Sequence, residues 1–138
     1  MSARWDRIAT VVLGVGIAAN GVYMLMAPAL WYSSAPGAPQ AGPLNPHFVR
    51  DVGAAYLAAG AALLWFGLDV RARAGAIAGA AFLGLHAFVH AAEALGQDGL
   101  VSRFDLLNVI LPAAIALWAV WPTDEDRCYD DDIDSVRR

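Results

Sequence analysis

The chain has 138 residues, 59% of them hydrophobic and only 16% charged, with a formal net charge of −4. A soluble domain carries about 25% charged residues, so this composition argues against an ordinary water-soluble fold. It contains no lysine and its arginines are scattered, which excludes the clustered positive charge of a nucleic-acid-binding surface.

Four long apolar runs divide the chain, predicting helices at about residues 8–30, 46–68, 74–95 and 102–121. A helix rises ~1.5 Å per residue, so ~20 residues cross a ~30 Å hydrocarbon core. The first three runs meet that length, and the fourth does so only with help from residues 101–105. The expected fold class is therefore all-α: an integral membrane four-helix transmembrane bundle over residues 1–122. An acidic tail, 123–138, is expected to be disordered on the cytoplasmic side. That tail holds seven acids and three arginines, which accounts for the whole net charge.

The first run follows Arg4 and Arg7 and looks superficially like a signal peptide. A signal's apolar core is only roughly 7–15 residues, so a retained helix is the better reading. The next segment, 31–45, reads WYSSAPGAPQAGPLN, with Pro36, Pro39 and Pro43. It predicts an extended, polyproline-like connector. Trp31 and Tyr32 sit where interfacial aromatics belong, as do Trp5, Trp65, Trp118 and Trp121 near other helix ends. Asn45-Pro46 is a helix-start signal: a capping side chain, then proline in the first turn.

In the second run, Gly53, Gly60 and Gly67 recur every seven residues. In the third, Gly75 and Gly79 make a small-xxx-small pair, which lets helices approach closely. Continuing from Gly79 along the same face reaches Phe82, His86 and Glu93. This predicts that the polar stripe of the third helix faces other helices.

That stripe, His86, His90 and Glu93 in AFLGLHAFVHAAEAL, is the strongest chemical signal. At ~100° per residue the three positions fall within roughly 60° of one another. Ionisable groups in a spanning helix normally face a bundle interior or a wet cavity. With four spans, the start of the second helix (His47, Arg50, Asp51) and of the fourth (Arg103, Asp105, Asn108) lie at the same membrane face as His90 and Glu93. Gln97 and Asp98 follow at that face, and Ser102 with Asp105 resembles a capping box. Asn20, Tyr23 and Tyr56 are nearer mid-membrane, with Asn20, Tyr56 and Asn108 expected to bond between helices.

Three site chemistries remain open. His86 and His90 at i, i+4 with Glu93 form a candidate transition-metal set, with His47 or Asp51 as further ligands. Haem or quinone binding would draw on His47, Arg50, Asp51, Asp105 and Asn108 around them. The bland alternative is an ion-pair and hydrogen-bond network that only holds the helices together. A small transporter or channel is a further alternative, although no inverted repeat is visible. No phosphate-binding loop, nucleophile elbow or CxxC occurs, and the lone Cys128 offers neither a disulfide nor a thiolate metal site.

The segments Asn45-Pro46-His47-Phe48-Val49-Arg50-Asp51-Val52-Gly53-Ala54-Ala55-Tyr56-Leu57 and Leu85-His86-Ala87-Phe88-Val89-His90 resemble small bacterial four-helix membrane proteins of DoxX-like and related types. DoxX is similar to a subunit of a quinone-linked oxidoreductase. The resemblance thus implies a bacterial membrane location and a quinone connection, with a larger membrane protein or a second copy as partner. Arginines near the spans give the expected orientation. Arg4, Arg7, Arg71 and Arg73 lie at one face, and Arg50 and Arg103 at the other, so the termini should be cytoplasmic.

Overall fold

The computed structural model describes residues 3–96 and 103–121. Gln97, Asp98, Ser102, Cys128, the acidic tail and the side chains of Arg4 and Trp5 lie outside the described residues. Every described element is helical. Three helices are long and apolar enough to cross a membrane, among the described residues: α1 (Ala3–Met26), α4 (Pro46–Leu68) and α5 (Arg73–Gly96). At ~1.5 Å per residue, the 23 residues of α4 run about 34 Å.

Local chemistry sets the boundaries. Pro28 has no amide hydrogen to extend α1, so Ala27 leaves the helical region (φ −137°, ψ 57°). The chain then restarts as α2 (Pro28–Ser34), and α3 (Ala38–Ala41) follows as a single turn with Pro39 in it. Gly37, at φ 90°, makes the reversal between them. The connector is therefore helical in two short pieces rather than extended. Pro28 and Pro39 stand in the first turns of α2 and α3, where a free amide has no intrahelical partner, while Pro36 and Pro43 lie in the turns that follow each helix. Trp31 Nε1 donates to Asn20 Oδ1 at 3.0 Å, and the Tyr32 hydroxyl donates to the Gly42 carbonyl. The first of these bonds folds α2 back onto α1, and the second closes the connector.

Asn45 caps α4 as its sequence predicts. Its Oδ1 accepts from the amides of His47 and Phe48 at 3.1 and 3.2 Å. At the far end Asp69 becomes extended and caps a 3₁₀ turn, Val70–Ala72, by accepting from the Arg71 amide at 3.0 Å.

The core forms around close helix contacts. α1 and α4 run antiparallel with interleaved glycines. A Cβ at Gly14 would sit 2.5 Å from the Leu64 amide nitrogen, and one at Gly60 2.8 Å from the Gly14 carbonyl oxygen. A Cβ at Gly21 would sit 2.6 Å from the Gly53 carbonyl oxygen. Such contacts bring backbones together where no larger residue fits. Gly67 meets Val11 in the same way. On α5, Gly79 lies against Ala59, whereas Gly75 makes only an ordinary contact with Ala62. The expected α5 face packs from Gly79 as far as His90. The buried core is small-residue rich: Ala59, Ala76, Ala80, Ala87, Ala113 and Ala116 surround Met24 and Leu63.

The expected fourth span differs most from expectation. It is a broken helix of three parts: α6 (Arg103–Asp105), a wide π turn (Leu106–Ile110) and α7 (Leu111–Ala119). Within the turn the Leu111 amide bonds the Leu106 carbonyl, five residues back. Pro112 follows immediately, where its ring would crowd the carbonyl four residues before it in a regular helix. α7 packs on α5 and α1, with Leu117 against Gly84. Arg73 Nη2 donates to the Val120 carbonyl at 2.9 Å and ties the end of α7 to the start of α5.

Large apolar side chains face outward on all three long helices, including Val12, Val15, Trp65, Leu85 and Phe88. Such faces are costly in water and compatible with a lipid bilayer. Trp65, Trp118 and Trp121 are exposed near the ends of α4 and α7.

Candidate functional site

α5 carries its stripe inward as far as His90. The ring of Phe82 stacks on His86 with centroids 6.0 Å apart. His86 and His90, one turn apart, stand 4.7 Å apart. Tyr56 of α4 meets Phe82 and His86 edge-on, at 5.5 and 5.4 Å. The T-shaped geometry sets positive ring edge against negative ring face. Four rings from two helices thus make one ladder, with imidazole at its outer end.

The broken helix completes it. Asp105, the last residue of α6, places Oδ1 3.0 Å from His90 Nδ1. The two side chains are 33% and 23% exposed, so the pair is only partly buried. A carboxylate on one imidazole nitrogen fixes ring orientation and leaves the other nitrogen for a ligand. Next to it, Asn108 Nδ2 donates to the Phe104 carbonyl at 3.0 Å. Asn108 therefore serves its own segment, within the wide turn, rather than a neighbouring helix.

The remaining expected members stand apart from the ladder. His47 Nδ1 meets Asp51 Oδ2 at 2.8 Å, one turn along α4, with side chains 85% and 65% exposed. Arg50 Nε donates to the Leu25 carbonyl at 3.3 Å. It thereby caps the C-terminal end of α1, where a positive charge complements the helix dipole. That is a different role from the ligand contact considered for it in the sequence. Glu93 is exposed. Among the described residues, no three His, Cys, Asp or Glu side chains are gathered so as to hold a metal ion.

Sequence reasoning assigned Tyr56 to interhelical hydrogen bonding, whereas its ring is the wall of the ladder. The available signal was Phe82, His86 and His90 at i, i+4 and i+8, which demands an aromatic or apolar partner from the next helix. The chain was compared with family models, curated proteins and solved structures, and none of the three comparisons gave a match.

Proposed function

We propose that this chain is a multi-pass protein of a bacterial inner membrane whose ring ladder binds the headgroup of a quinone-class redox lipid. In this reading α1, α4, α5 and the broken α6–α7 segment are the four spans of a transmembrane bundle. The termini are cytoplasmic, following the arginine bias of Arg4, Arg7, Arg71 and Arg73. The ladder then lies toward the outer leaflet, where a lipid-borne headgroup arrives from the side. The protein acts as an accessory subunit to a larger membrane oxidoreductase or as a homo-oligomer.

One observation carries this reading: a row of interlocking rings ending in an imidazole held by Asp105. A planar headgroup stacks on such rings and hydrogen-bonds at its oxygen-bearing edge. The resemblance of residues 45–57 and 85–90 to DoxX-like proteins supports the same class. A metal or haem has less support, because Glu93 stands exposed and, among the described residues, no third ligand is gathered with His86 and His90.

The test is titration of the full chain in lipid nanodiscs with a short-tail ubiquinone and its reduced form, followed by calorimetry. Saturable binding that weakens about tenfold in His90→Ala, with helicity intact, supports the site. Absence of saturable binding to either form refutes it. Elemental analysis and an absorption spectrum of the same preparation, beside His86→Ala/His90→Ala, check the metal and haem alternatives.

A second reading is purely structural, favoured by the way His90–Asp105 and Arg73–Val120 clasp the broken segment to α5 at its two ends. It expects no ligand, and lower stability in Asp105→Ala.

A further inference from the structure

The His90–Asp105 contact has a polarity, and the polarity selects among ligands. An ionised carboxylate only accepts hydrogen bonds, so the nitrogen it meets, His90 Nδ1, must carry the hydrogen. In a neutral imidazole one ring nitrogen donates and the other accepts. Nε2 is then left with a lone pair and no hydrogen. The site as Asp105 sets it therefore presents an acceptor to whatever binds there. A quinone headgroup offers only carbonyl oxygens, which are acceptors too, and two lone pairs face to face are repulsive. A hydroquinone offers hydroxyl groups, which donate.

We infer that the ladder discriminates redox states, taking the hydroquinone form through a hydroxyl that donates to His90 Nε2, with Asp105 as the positioning residue. This rests on the quinone-class reading of the site. Asp105 touches no ligand in this scheme and acts only by fixing which nitrogen of His90 is protonated. The rings of His86 and Phe82, backed by the buried Tyr56, supply a contact surface indifferent to redox state, so they add affinity without selecting. A partly buried acceptor left facing another acceptor loses a hydrogen bond and its hydration together, which is the larger cost.

Two measurements on the full chain in nanodiscs at pH 8 test this. The first is nitrogen-15 NMR of labelled histidine. His90 is expected as the Nδ1–H tautomer in the wild type, moving toward Nε2–H in Asp105→Ala. The second is paired titration with short-tail ubiquinol and ubiquinone under anaerobic conditions. The reduced form is expected to bind about tenfold tighter, and Asp105→Ala to shrink that ratio below about threefold.

A wild-type Nε2–H tautomer, an imidazolium at that pH, or equal or tighter binding of the oxidised form would overturn the inference while leaving the binding site standing. Failure of both forms to bind removes the site itself, a distinguishable result. Should Asp105→Ala not fold, the wild-type tautomer and the wild-type ratio decide the matter without it.

Discussion

Individual side chains in this protein find partners by reach along their own helix more than by gathering at one centre. His47 takes Asp51 one turn away, Asn108 takes the Phe104 carbonyl, and Thr10 donates to the Asp6 carbonyl at 2.8 Å. His90 reaches further, because Asp105 comes from a separate element, as do the partners of Trp31, Arg50 and Arg73. Removing the His90 partner in Asp105→Ala should lower stability by about 1 kcal/mol, a partly exposed charge-assisted bond. Denaturant unfolding in detergent micelles measures it. Asp69 gives a test outside the spans. Hydrogen bonds from the Arg71 guanidinium and amide hold its carboxyl below the usual carboxylate range. A depressed folded-state value means that its contribution is present above the unfolded carboxylate's titration. The contribution is lost as pH falls through the lowered value. Carbon-detected NMR should show the Asp69 titration moving up toward the ordinary value in Arg71→Ala, in which the amide bond remains; no movement would reject the guanidinium as the leading cause.

At the scale of elements, two devices decide the packing. The first is the antiparallel α1–α4 seam, where Gly14 and Gly21 meet Gly60 and Gly53. In Gly21→Ala or Gly60→Ala the new methyl would strike backbone, so the helices must separate, at a cost of about 1–3 kcal/mol. Gly16 has nothing within 4 Å of its Cβ position, and Gly16→Ala should be neutral or stabilising by up to about 1 kcal/mol. Thermal unfolding of the three variants side by side checks the contrast. Seven-residue spacing in α4 was readable from the sequence, whereas its counterpart in α1 becomes meaningful only when the two helices are set antiparallel. The second device is the π turn. It holds one residue more than an α-helical turn, a displacement of about 100° along the helix. With that extra residue absorbed, Asp105 faces His90 while Ala113 and Ala116 face the core. Deleting Leu107 should replace the wide turn with a helix kinked at Pro112, leaving both ends in their present orientation and the His90 tautomer unchanged. Inserting an alanine after Leu107 should break the contact, and the histidine spectrum reads both.

For the whole molecule, the polar contacts divide between two ends of an apolar body. Arg50–Leu25, His47–Asp51 and His90–Asp105 lie at one end, and Asp69–Arg71 and Arg73–Val120 at the other. A bilayer reading follows naturally, since the belt between them exposes large apolar side chains. The proposed orientation has a built-in reporter, for Cys128 is the one cysteine in the chain. In intact spheroplasts a membrane-impermeant maleimide should leave Cys128 unlabelled, and should label it after permeabilisation. Labelling of intact spheroplasts would reverse the assigned topology.

Composition and period by themselves determined the helical class, the three long spans and the Asn45-Pro46 start of α4. Each depends only on neighbours along the chain: apolar length, a capping oxygen, a missing amide hydrogen. The same local logic, read too simply, made the proline-rich connector extended, although Pro39 sits in the first turn of a helix. The tertiary structure alone decided the membership of the ladder. Tyr56 joins it and Arg50 and Glu93 do not, because helix rotation and the extra residue before Pro112 fix which faces meet. Those depend on contacts between segments far apart in the chain, which no local period encodes.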